Sequence, residues 1–207
     1  MAEPTIASEQ PQGADQRLIK GAKARASIAR HAADVASVEG LNGVSIGRLA
    51  TDLGISKSGI ATLFGSKETL QLAAVKVARE VFIEQVVVPA MSEPRGMARL
   101  RALIEGWFAH VTDPVFPGGC FRVATLAEFD SRPGPVRDAI AEDQRDWLAL
   151  LAKEIGRAQE QGHLGERGAE VIAFELEAVL NAANTARQLG NDQGLAMARR
   201  IVDDLLG

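Results

Sequence analysis

Between Ser45 and Lys67 the chain sets hydroxyls and lysines at intervals that suit the capture of anions rather than covalent chemistry. Ser45, Ser56 and Ser66 each stand just ahead of a helix-like run, where a side-chain oxygen can accept an amide of the first turn. The remaining amides of such a turn carry partial positive charge and bind phosphate oxygens readily. Lys57 and Lys67 each follow one of these caps directly and add a full cation. A lysine at the positive end of a helix does nothing for the fold, so an external anion accounts for it better. No catalytic set competes with this reading. His31, His110 and His163 are scattered without metal-ligand spacing, no serine or cysteine sits in a nucleophile elbow, and no glycine-rich loop follows a strand. The residues point away from an enzyme, a metal site or a cofactor.

Three short helices must position these groups. Ile46, Leu49, Ala50 and Leu53 share one face after the Ser45 cap, and Gly54 ends that helix where positive φ is needed. After Ser56, the side chains of Ile60, Leu63 and Phe64 turn inward, and Gly65 stops the second run. A small Ala50, the Gly54 turn and the Ser56 cap let two helices cross closely. That is a helix-turn-helix, whose second helix fits the DNA major groove. Its outward residues are Lys57, Ser58, Ala61 and Thr62. Gly59 in mid-helix costs roughly 1 kcal/mol against alanine, which close backbone approach to DNA would explain.

The run from Ile28 to Leu72 resembles the tetracycline-repressor-like (TetR-like) family of transcriptional regulators. The resemblance is carried by Gly40, Ser45, Ile46, Leu49, Ala50, Gly54, Ile55, Ser56, Lys57, Ile60, Phe64, Ser66, Lys67, Glu68 and Leu70. It implies DNA contacts at Ser45, Ile46, Arg48, Ser56, Lys57, Ser58, Gly59, Thr62 and Lys67, with double-stranded operator DNA as partner. Two departures stand out. The family's aromatic at the position of Ala36 is missing, and its tyrosine and histidine are replaced around Ala61, Thr62 and Leu63 in a chain without tyrosine. The fold expectation survives these; the operator sequence is not legible.

Charge is uneven along the chain. The net charge is −4, yet residues 17–70 carry +4, residues 1–16 carry −3 and the remainder −5. A basic segment on an acidic body is the footprint of local phosphate binding. At 207 residues with 46% hydrophobic and 24% charged residues, the chain suits one or two compact domains. No apolar run approaches the ~20 residues of a membrane helix, and no signal peptide is evident. A lone cysteine, Cys120, fits a cytoplasmic protein and is read as a small buried residue rather than a redox switch.

The chain reads as all-α, in four stretches: a disordered tail (1–15), a helix-turn-helix domain (16–66), a connecting long helix (67–94), and an effector-binding and dimerisation domain (95–207). A first helix over residues 16–39 ends at Gly40; the connecting helix ends before Pro89. Helices are expected over 95–112, 121–129, 135–161, 167–189 and 193–206 from the spacing of apolar residues and breakers.

In the body, Trp107, Phe108, Val111, Phe116, Phe121, Ala124, Trp147, Leu151 and Asn184 are candidates for a ligand pocket. Gly118–Phe121 and Glu128–Val136 resemble the ligand-domain segment of some TetR-like regulators, which implies a small-molecule effector; the lining suggests an apolar one. The penultimate helix is apolar nearly all round, and a helix buried on two faces needs a partner beyond its own core. Val171, Phe174, Ala178, Ala182, Leu195, Ala198, Ile201, Val202 and Leu205 are the candidate dimer interface, and the family resemblance likewise implies a homodimer. The expected function is a ligand-responsive repressor acting as a homodimer on a palindromic site, with recognition helices ~34 Å apart. The alternative is a helical small-molecule-binding or adaptor protein that does not bind DNA.

Overall fold

The computed structural model describes residues 12–207. Among these the secondary structure is helical throughout, with no strand. Helix α1 spans Gln12–Gly43 and is broken at Gly40, whose φ of 74° lies outside the helical range. Residues 12–15, expected in the tail, form its first turn; the rest of the expected tail lies outside the described residues. Helices α2 (Ile46–Leu53) and α3 (Lys57–Phe64) follow as the spacing predicts, capped by Ser45 and Ser56 through bonds to the amides of Arg48 and Gly59. Gly54 takes φ 64° between them, the left-handed turn that brings α3 across α2. Ser66 caps α4 (Lys67–Phe82) through the amide of Thr69.

Helix α4 does not stop before Pro89. It widens into a π turn (Ile83–Val87), where the amide of Val88 reaches back five residues to Ile83, and continues into a short α5 (Val88–Ala90) that contains Pro89. Proline has no amide to donate, and an added residue in the turn lets the ladder pass it. Val86–Val87–Val88, rich in β-branched residues, is therefore helical. The body adds α6 (Met97–Thr112), α7 (Phe121–Phe129), α8 (Pro135–Glu160), α9 (Ala169–Gln188) and α10 (Asp192–Leu206). Gly106 on α6 lies against Val86 of the π turn, with room for only ordinary contact at 3.4 Å.

Two hydrophobic clusters form. One joins Ile28, Ala32, Leu49, Ile60, Phe64 and Leu70 of the head to Phe121, Phe129, Val136 and Ile140 of the body. The other contains Leu103, Trp107, Phe108, Trp147, Leu151, Leu176 and Val202. Helix α7 of the body thus packs on α1. The small Ala36, fully buried, leaves the room for that approach.

Candidate functional site

Caps and turns fix the head locally, and its outer face is exposed. Lys57, Ser58, Gly59, Ala61 and Thr62 all face solvent along α3. Hydroxyls there are held: Ser58 donates to Ser56 Oγ at 3.2 Å, and Thr62 to the carbonyl of Ser58 at 2.8 Å. A Cβ at Gly59 would meet Ser56 Oγ at 3.1 Å, so the cap itself leaves little space for alanine. Lys57 has no hydrogen-bond or ion-pair partner among the described residues, and its aliphatic chain lies beside Gly47. Ile46 is half-buried and packs on the head's core.

Two expected phosphate contacts have internal partners. Arg48 forks onto Asp52 (2.8 and 3.0 Å) and reaches Glu39 at 3.1 Å, which raises the arginine's pKa and, with His31, lowers that of Asp52. Lys67 donates to the carbonyl of Asn42 at 2.8 Å. The argument that only an external anion explains Lys67 is therefore corrected: the carbonyl supplies a partner within the chain. Sequence reasoning also missed Arg25, which donates to the carbonyl of Leu63 at the end of α3 and lies over the Phe64 ring at 4.4 Å.

Head and body are tied at one turn. Glu128 on α7 accepts the amides of Leu41 and Asn42 at 2.6 and 2.7 Å. From the other side, Gln71 on α4 donates to the carbonyl of Leu41 at 2.8 Å. Gly118 closes the same seam: its amide donates to Ser37 Oγ at 3.0 Å, and a Cβ there would fall 1.8 Å from the Ser37 carbonyl oxygen. Arg30 reaches across to the carbonyl of Val115 at 2.7 Å and stacks on Phe116 at 4.5 Å.

A cavity of about 20 Å³ lies between α4, α6, α7 and α8, lined by Phe82, His110, Phe116, Phe121, Arg122, Thr125, Ile140 and Asp143 among others. Of the expected pocket residues, Phe116 and Phe121 line it. Trp107, Phe108, Val111 and Leu151 are instead closed into the second core cluster, and Ala124 lies off the cavity wall. Asn184 accepts the amide of Cys120 at 3.0 Å. Trp147 faces a neighbouring groove of about 150 Å³, shared with Ile83 and Val87 of the π turn. The stripe of large apolar residues on α6 and α8 faces α9 and is consumed by packing.

The surprise is charge. Arg122 is 6% exposed, pairs with Asp143 at 3.2 Å, and lies over the rings of Phe82 (4.7 Å) and Trp147 (5.6 Å). Asp143 is largely covered and also faces Arg79 at 3.7 Å. Glu105, beside Trp107 on α6, is exposed and bound to Arg199 at 3.0 Å. The buried carboxylates are Glu154, which accepts the amide of Gly96 at 2.8 Å, and Glu177, which accepts Trp147 Nε1 at 2.8 Å. Burial, with Arg122 nearby, pushes His110 down to about 4. Burial pushes the Cys120 thiol up, away from a reactive thiolate.

On α9, Val171 and Phe174 are 53% and 68% exposed, and Ala178, Ala182 and Thr185 continue their stripe. Ile201 on α10 is exposed, with Leu195 and Leu205 half-covered. Ala198 and Val202 are corrected: both are buried in the chain's own core against α9. Among the described residues no helix is long and apolar enough to cross a membrane, and no group of residues could hold a metal ion.

A helix-turn-helix head keyed into a helical body defines a protein of the regulator class. Residues 96–202, just over half of the chain, match the family model for the tetracyclin repressor-like C-terminal domain, and the chain belongs to that family of transcriptional regulators. It is similar in fold to a TetR transcriptional regulator from Chloroflexus aurantiacus J-10-FL (24% identity over 88% of this chain and 93% of that one, TM-score 0.81). A transcriptional regulator from Saccharomonospora viridis solved with choline matches at 20% identity over 88% and 95%, TM-score 0.76. AibR, solved with isovaleryl coenzyme A and operator DNA, matches at 22% identity over 78% and 86%, TM-score 0.67. No curated protein matches the chain.

Proposed function

We propose that this regulator is a homodimeric, effector-responsive repressor that reads a palindromic operator through α3. Glu128 carries the reading. It sits on the same short helix as Phe121, Arg122 and Thr125, so a helix that walls the cavity also grips the turn leading to the Ser45 cap. A ligand that shifts α7 would move that turn, and would act through its different affinity for the two arrangements. Ser45, Ser56, Lys57, Ser58, Gly59, Thr62 and Lys67 form the DNA face in this reading. Val171, Phe174, Ala178, Ala182 and Ile201 form the dimer face, because an apolar stripe this continuous on a terminal helix pair suits a second copy. The relatives solved with operator DNA, isovaleryl coenzyme A and choline support the same division of labour.

The test is fluorescence anisotropy of the purified protein with duplexes from its own upstream region. One duplex should bind far more tightly than a shuffled control, with a protein-to-duplex ratio set by dimers. Equal binding to both at physiological salt would sink the proposal.

A further inference from the structure

Two buried polar atoms on one cavity wall have no hydrogen-bond partner: Nε of Arg122 and Nδ1 of His110. Both residues are more than nine-tenths buried, His110 at 4% exposure. Such an atom is costly to bury, and folded proteins rarely leave two of them on one cavity wall. The charged groups lining the cavity are the guanidinium groups of Arg79 and Arg122 and the carboxylate of Asp143, with Asp146 paired to Arg79 at its edge. Arg122 lies over Phe82 and Trp147, which meet edge to face at 5.1 Å, while one of its terminal nitrogens takes Asp143. Its Nε edge is therefore oriented and unspent.

Resting on the effector-responsive reading above, we propose that the effector is a small organic monoanion, a carboxylate on a short apolar body. One carboxylate oxygen accepts Arg122 Nε–H, and the His110 ring, as the Nδ1–H tautomer, donates to the same group. The body lies among Phe82, Phe116 and Ile140. A hydrocarbon effector would leave both polar atoms buried and unpaired, and an ammonium offers no acceptor to the Arg122 Nε–H. Asp143 need not be displaced, because it occupies a different nitrogen. Size follows from the cavity: about 20 Å³ holds little more than a water. The neighbouring groove shares Arg79, Phe82, Arg122 and Asp143 with it, and Arg79 is anchored outward on Asp146. Rotation of Arg79 joins the two spaces and supplies both entry and room.

The experiment is calorimetry and thermal melting of the full-length protein with sodium propionate, butyrate and benzoate, against the matching amides and primary amines. The acids should bind and raise the melting temperature, and the amides should bind at least tenfold more weakly. The double variant Arg122→Gln/Asp143→Asn, which removes the ion pair as a unit, should lose acid binding tenfold or more while keeping its melting transition and its DNA affinity. His110→Leu should weaken the acids more than the amides, the charged acceptor losing the stronger bond. Amides or amines that bind as tightly as the acids, or acid binding that survives in both variants, would overturn the monoanion. If DNA were then still released by a neutral or cationic compound, the effector reading would stand without it. Release by none of the three series would remove both.

Discussion

The carboxylate of Glu128 and the amide of Leu41 meet at 2.6 Å although 87 residues separate them. The pairing places a charged acceptor on the backbone turn that leads to the Ser45 cap of α2. Replacing Glu128 by Ala leaves the buried Leu41 amide without a partner, which costs about 1–3 kcal/mol. Glu128→Gln keeps one acceptor oxygen and should fall between Ala and wild type. Urea melts of the three proteins check the order; equal stabilities would show the turn is held by α4 alone.

Gly118 makes the same seam intolerant of a methyl group. A Cβ would fall 1.8 Å from the carbonyl oxygen of Ser37, a backbone atom that cannot swing away. Gly118→Ala should therefore destabilise by at least ~2 kcal/mol, at the upper part of the overpacking range. A thermal melt within error of wild type would contradict the packing of α1 on the loop before α7.

Phe174 stands 68% exposed in the isolated chain, so its replacement by Glu should not disturb the monomer's core. In a dimer built on α9 and α10 the same change buries an unpaired carboxylate and removes an aromatic anchor, costing ~2 kcal/mol or more of association. Sedimentation should show monomers at concentrations where wild type is dimeric, and operator affinity should fall with it. A variant that remains dimeric would move the interface elsewhere.

Among the described residues Lys57 has no hydrogen-bond or ion-pair partner, and Lys67 has one. Each alanine variant should flatten the salt dependence of DNA binding by about 0.9 in log–log slope, the signature of one lost phosphate. Lys67→Ala should also lose stability, by about 1 kcal/mol, through its bond to Asn42. Thr62→Val should instead change which sequences bind best. Anisotropy across a salt series separates these outcomes.

His110 makes stability depend on pH. It stays neutral in the folded protein down to about pH 4, held there by burial first and by the Arg122 charge second, while the unfolded chain protonates it near 6.5. The unfolded state therefore binds the extra proton in that interval. Stability is intact above pH 6.5 and is lost as pH falls toward 4, by about 3 kcal/mol in all. His110→Leu should remove this share of the slope in urea melts taken between pH 7 and 4.5. Identical slopes would place the histidine in water.

What the sequence determined by itself was everything governed by near neighbours. Ser45, Ser56 and Ser66 cap helices because a side-chain oxygen reaches amides three residues on. Leu100, Leu103, Ile104, Trp107, Phe108 and Val111 are buried because helical spacing puts them on one face. The resemblance over Ile28–Leu72 rested on the same short-range pattern. Spacing does not say what a buried face meets, so the aromatics of α6 were read as pocket lining and prove to be core. Arg48's partner Asp52 lies one helical turn on and was there to be read, whereas its second partner Glu39 and the Asn42 carbonyl that takes Lys67 lie on other elements and are not implied by helix periodicity. The Glu128 clamp, the close seam at Gly118 and the unspent edge of Arg122 join residues far apart in the chain. Tertiary structure alone decided those, since burial and partner choice depend on which helices pack together and not on any residue's own neighbourhood.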